Sequence, residues 1–77
     1  MKIYFSRKAE KYLRSIPPRI SLNILGKIKQ IPKGDIKPLS DRRGEYRLRM
    51  GKCRVLFFLK KDLIQVYKVD TRGDIHK

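Results

Sequence analysis

The feature that most restricts how this chain can fold is an alternation centred on Gly51-Lys52. On its amino-terminal side Tyr46, Leu48 and Met50 alternate with Arg47 and Arg49. On the other side Cys53, Val55 and Phe57 alternate with Arg54, Leu56 and Phe58. A period of two is that of a strand with one face buried. Gly51-Lys52 fits a two-residue hairpin turn with glycine at its first central position. In that register Met50 stands opposite Cys53, Arg49 opposite Arg54 and Arg47 opposite Leu56. Tyr46, Leu48, Met50, Cys53, Val55 and Phe57 share one face. Arg47, Arg49, Arg54, Leu56 and Phe58 share the other.

The flanking segments supply a layer for the apolar face. Lys2–Phe5 reads as a short strand rich in β-formers. Ser6 then suits a helix N-cap, and Ala9, Tyr12, Leu13 and Ile16 follow at helical spacing. Pro17-Pro18 ends this first helix, because proline lacks a donor and restricts the residue before it. Pro18 can open a second helix, with Ile20, Ile24, Leu25, Ile28 and Ile31 as its buried stripe. Pro32 closes it. Residues 32–44 hold Pro32, Gly34, Asp35, Pro38, Ser40, Asp41 and Gly44 and read as a loop. After the hairpin, a turn at Lys61-Asp62 leads to a third strand, Ile64–Val69. It places Ile64 and Val66 on the apolar face and Gln65, Tyr67 and Val69 on the basic face. The expectation is one α+β domain over 1–77. It has an N-terminal strand, a two-helix hairpin and a three-stranded antiparallel meander, with the helices on one face of the sheet.

Composition bears on partners more than on fold. Lys and Arg number 21 against 7 Asp and Glu, a formal charge of +14 on 77 residues. Self-repulsion of that size favours an anionic partner, with nucleic acid first, then an acidic protein or an anionic membrane surface. No run approaches the ~20 apolar residues of a membrane span, and the first residues are too polar for a signal peptide. A cytoplasmic setting is therefore expected. One cysteine and one histidine exclude an internal disulfide and a structural zinc cluster.

The basic face needs a reason, since like charges opposed across strands are unfavourable. Arg47, Arg49 and Arg54 carry guanidinium groups suited to bidentate contact with phosphate oxygens. The other outcome is that they splay into solvent or pair with Glu45 and Asp70.

The run Tyr46-Arg47-Leu48-Arg49-Met50-Gly51-Lys52-Cys53-Arg54-Val55-Leu56-Phe57 resembles the hairpin of the RelE/ParE toxin superfamily. Phe5-Ser6 ahead of a basic amphipathic helix is similar to that family's opening. The tail Asp70-Thr71-Arg72-Gly73-Asp74-Ile75-His76-Lys77 is similar to its ending. The resemblance implies a RelE-like fold and the toxin of a type II toxin–antitoxin pair. It further implies an endoribonuclease that needs no metal or cofactor and cuts mRNA in the ribosomal A site, by 2′-hydroxyl attack on the adjacent phosphate, so inhibiting translation. By motif position Arg47, Arg49, Arg54 and Arg72 would hold the scissile phosphate, and His76 stands where many members have tyrosine. A histidine with an unperturbed pKa near ~6.5 suits proton transfer. Lys52, Phe58 and Tyr67 would contact RNA, with Leu56 adding stacking area. Implied partners are the ribosome, mRNA and a cognate antitoxin, acidic and folding on binding, in a hetero-oligomer. Two alternatives are a ParE-like protein that inhibits gyrase without nuclease chemistry and a non-catalytic basic nucleic-acid-binding module.

Overall fold

A computed structural model describes residues 2–31, 33–39 and 44–71. The chain order is β1 (Lys2–Phe5), α1 (Arg7–Ser15), α2 (Pro18–Lys29), β2 (Asp35–Pro38), β3 (Glu45–Met50), β4 (Cys53–Lys60) and β5 (Leu63–Thr71). The five strands form one sheet in the order β1-β5-β4-β3-β2. β2 to β5 pair antiparallel, whereas β1 joins β5 in parallel. This corrects the expected three-stranded meander with a separate N-terminal strand: the sheet is mixed and has five strands. Residues 35–38, expected in a loop, form β2, because Ile36 pairs with Leu48 and the segment supplies β3's second neighbour. Turn-forming residues concealed it. Gly34 precedes it at φ 122°, where an added Cβ would lie 3.1 Å from Leu48 Cδ1, so a side chain there is both strained and crowded.

The hairpin register follows the alternation. Met50 pairs with Cys53, Arg49 with Arg54 and Arg47 with Leu56, about Gly51 at φ 58°. The second turn also lies where expected, since Lys60 pairs with Leu63. The third strand departs from expectation in phase. Leu56 pairs with Lys68 but Phe57 with Val66, so a bulge at Tyr67 adds one residue to β5. One extra residue exchanges the faces beyond it. Val69, expected on the basic face, is therefore buried, and Lys68 and Asp70 take places opposite Leu56 and Arg54.

The bulge is tied to the start of α1. The backbone N–H of Ser6 donates to Val66 O at 2.8 Å, and its hydroxyl donates to Tyr67 O at 3.1 Å. The same Oγ accepts from the Ala9 N–H at 3.1 Å as the N-cap of α1. Ser6→Ala removes the cap and the contact with the bulge, and an N-cap loss costs about 0.5–2 kcal/mol. The expected result is a lower Tm with unchanged strand content. An unaltered Tm would show that the hydroxyl holds neither element.

The helices cover the sheet face that carries Leu48, Cys53, Val55, Phe57, Ile64, Val66 and Val69. Ala9, Ile16, Ile24, Ile28 and Ile31 complete this buried cluster. α1 packs on β5 and β1, and α2 on β3. Burial pushes the Cys53 thiol above its ordinary pKa, because desolvation disfavours the thiolate. The native thiol is therefore expected to resist iodoacetamide at pH 8 and to react on unfolding in urea. The protonated thiol is favoured in the folded state, so its contribution is complete below the unfolded pKa, ~8.5. It is lost as pH rises through the raised folded value. Among the described residues no helix is long and apolar enough to cross a membrane.

Candidate anion-binding face of the sheet

The face away from the helices is built from two rows of side chains running across the sheet. In the first row the register places Asp35, Arg49, Arg54 and Asp70 side by side on β2, β3, β4 and β5. The outer carboxylates flank the two opposed arginines. Arg49 Nε donates to Asp35 Oδ2 at 3.1 Å, and Arg54 Nη2 lies 3.6 Å from Asp70 Oδ2. All four side chains are 41–55% exposed, so each pair contributes little to stability, about 0–1 kcal/mol. Their effect is local: they relieve the repulsion between Arg49 and Arg54 and leave the row without net charge.

The second row is Lys37, Arg47, Leu56 and Lys68. It holds three cations and no carboxylate. Arg47 is half buried, and its Nε is buried without a hydrogen-bond partner. A guanidinium N–H removed from water and left unpaired costs free energy that an incoming acceptor would recover. Arg47 and Arg54 line two adjoining depressions. One, of about 270 Å³, is completed by Leu39, Leu56, Lys68 and Asp70. The other, of about 240 Å³, is completed by Arg49, Gly51 and Lys52. Together they form a shallow, open, basic groove.

The structure thus brings Arg47, Arg49, Lys52 and Arg54 together. It does not leave all three arginines free for one phosphate, because Arg49 and Arg54 each face a carboxylate. Pairing of Arg54 with Asp70 is one of the two outcomes open from the sequence. Phe58 and Tyr67 lie with ring centroids 4.9 Å apart and tilted by 39°. Arg72 and His76 lie outside the described residues. Lys37, Lys68 and Asp35 were missed as site residues, and Asp70 was named only as an ion-pair partner for the arginines. Lys37 and Asp35 sat in the segment read as loop, and the other two change face only through the bulge. No residue type in Ile64–Val69 signals that bulge.

No family model matches the chain, and no curated protein does. Among solved structures, a chain in the crystal structure of the toxin–antitoxin complex RelBE2 from Mycobacterium tuberculosis is similar with a TM-score of 0.75 and 26% identity. That match covers 92% of this chain and 96% of the other. A chain in the RelB–RelE antitoxin–toxin complex from Methanococcus jannaschii has a TM-score of 0.74 at 24% identity, covering 88% of each. The likeness is to chains of antitoxin–toxin assemblies.

These neighbours correct the expectation drawn from the hairpin motif. Both neighbours are chains of antitoxin–toxin complexes, and neither likeness carries the nuclease chemistry of a RelE-like mRNA interferase to this chain. The expected superfamily toxin, its ribosome-dependent nuclease activity, and the gyrase-inhibiting and nucleic-acid-binding alternatives are not retained. The geometry gives a physical reason on the same side. Two carboxylates border the arginines that were to hold the phosphate, and a carboxylate beside a phosphate site opposes its charge.

Proposed function

We propose that this chain is one subunit of a two-protein toxin–antitoxin assembly and acts by binding the other protein. We further propose that the Lys37, Arg47, Lys68 row receives an acidic segment of that protein. The single observation that carries the reading is the row itself: Lys37, Arg47 and Lys68 stand in register about Leu56, with no carboxylate in that row. The buried, unpaired Arg47 Nε adds a donor in want of an acceptor. The formal charge of +14 favours an acidic partner over the whole surface. The likeness to chains of RelB–RelE complexes supports the same kind of partner.

Lys52, which lines a depression with Arg47, extends this surface in the proposal. Phe58 and Tyr67 pack against one another at its side. The test is co-expression with the product of the adjoining reading frame, followed by purification through a tag on one protein only. A stoichiometric complex that weakens as salt is raised is the expected result. Recovery of the tagged chain alone, at low salt and in the presence of the soluble second protein, would overturn the reading.

A further inference from the structure

We infer that the outer surface of the two-helix layer is a second docking site, which takes the apolar side of an acidic amphipathic segment from the same partner protein. The inference rests on the proposed assembly and adds where the partner is anchored. Two observations carry it. First, Phe5 at the end of β1, Leu13 of α1 and Ser21 and Leu25 of α2 line an open groove of about 390 Å³, which Glu10 and Arg14 complete. The Ser21 hydroxyl donates to the Leu13 carbonyl, which fixes one wall against the other. Leu22 stands beside Ser21 and Leu25 on α2 and is 69% exposed.

Second, Gly26 lies one turn beyond Leu22, inside α2. A Cβ added there meets no atom within 4 Å, so nothing inside this chain requires a glycine. Mid-helix glycine weakens a helix relative to alanine. Contact with another backbone gives it a use, because the missing side chain permits close approach. The surroundings decide the occupant. α1 and α2 together carry Arg7, Lys8, Lys11, Arg14, Arg19, Lys27 and Lys29, with Glu10 as their one acid. A second copy of this chain would bring the same cations against these, whereas an acidic segment complements them.

The experiment titrates the separately purified product of the adjoining reading frame into five forms of this chain: wild type, Leu22→Glu, Gly26→Glu, Gly26→Ala and, as a control at the sheet face, Arg47→Glu/Lys68→Glu. Both helix glutamate variants are expected to bind at least tenfold more weakly, with circular dichroism and Tm of the free chain unchanged. Gly26→Ala, which favours the helix, is expected to bind more weakly while raising the Tm. Affinities within twofold of wild type in all three helix variants would overturn the docking site. If the wild type binds and Arg47→Glu/Lys68→Glu alone weakens it, the helix groove is wrong and the assembly stands. If the wild type does not bind, both fail together.

Discussion

Phe57→Ala is expected to unfold most of the protein at 37 °C. Phe57 has no exposed surface, stands between β3 and β5 in the sheet, and stacks on Tyr46 with centroids 5.8 Å apart. Truncating a buried phenylalanine costs about 3–5 kcal/mol, since both transfer energy and cavity energy are lost. Domains of this size hold a total stability of roughly 0.05–0.15 kcal/mol per residue, so the loss takes much or all of the margin. Position makes the site less able to relax. Phe57 pairs with Val66, immediately before the bulge, and Val66 O holds the Ser6 N–H. Collapse around the cavity would therefore pull on the start of α1 as well. Thermal unfolding followed by circular dichroism measures it, with a fall in Tm of more than about 15 °C expected. A fall of only a few degrees would mean that the core is far looser than its burial indicates.

Arg47→Glu/Lys68→Glu should cost the complex about 100-fold in affinity, or ~2.7 kcal/mol. Both positions lie in the row that has no carboxylate of its own. Reversal converts two attractions for an acidic segment into repulsions and removes the Arg47 Nε donor that lacks an acceptor. Net charge falls as well, so a matched control is needed. Lys60→Glu/Lys61→Glu makes the same change at the β4–β5 turn, at the far end of β4 from Arg54, and is expected to leave affinity within a few fold. Equal losses in the two double variants would show that total charge alone draws the partner. A calorimetric titration at two salt concentrations separates these outcomes, because steering by net charge is screened more strongly than close contact.

The hairpin was legible because period-two alternation and a glycine at the turn both point to one register, and any slip would expose Leu48 and Val55. The helices were legible from Ser6, Pro17-Pro18 and the Ile24–Ile28–Ile31 stripe. β2 was not legible. A four-residue edge strand whose Pro38 has no donor and whose flanks hold glycine resembles a loop until its neighbour is known. The face of Lys68, Val69 and Asp70 was hidden for a different reason. Bulges arise from the fit between a strand and its surroundings, here from Ser6 binding the Val66 and Tyr67 carbonyls, residues 61 apart in sequence from their donor in the Tyr67 case. The hairpin's resemblance to a toxin family misled, because a motif cannot report the carboxylates that other strands bring beside its arginines.

The parallel pairing of β1 with β5 also has a temporal meaning. Lys2–Phe5 emerges from the ribosome long before Leu63–Val66, the segment on which it must lie. Until that segment arrives, the early strand has no neighbour to accept it, and the helices next to it have little to rest against. Closure of the sheet therefore waits until β5 has been made. A nascent chain stalled at the Lys61-Asp62 turn would display its sticky inner stripe to chaperones and proteases.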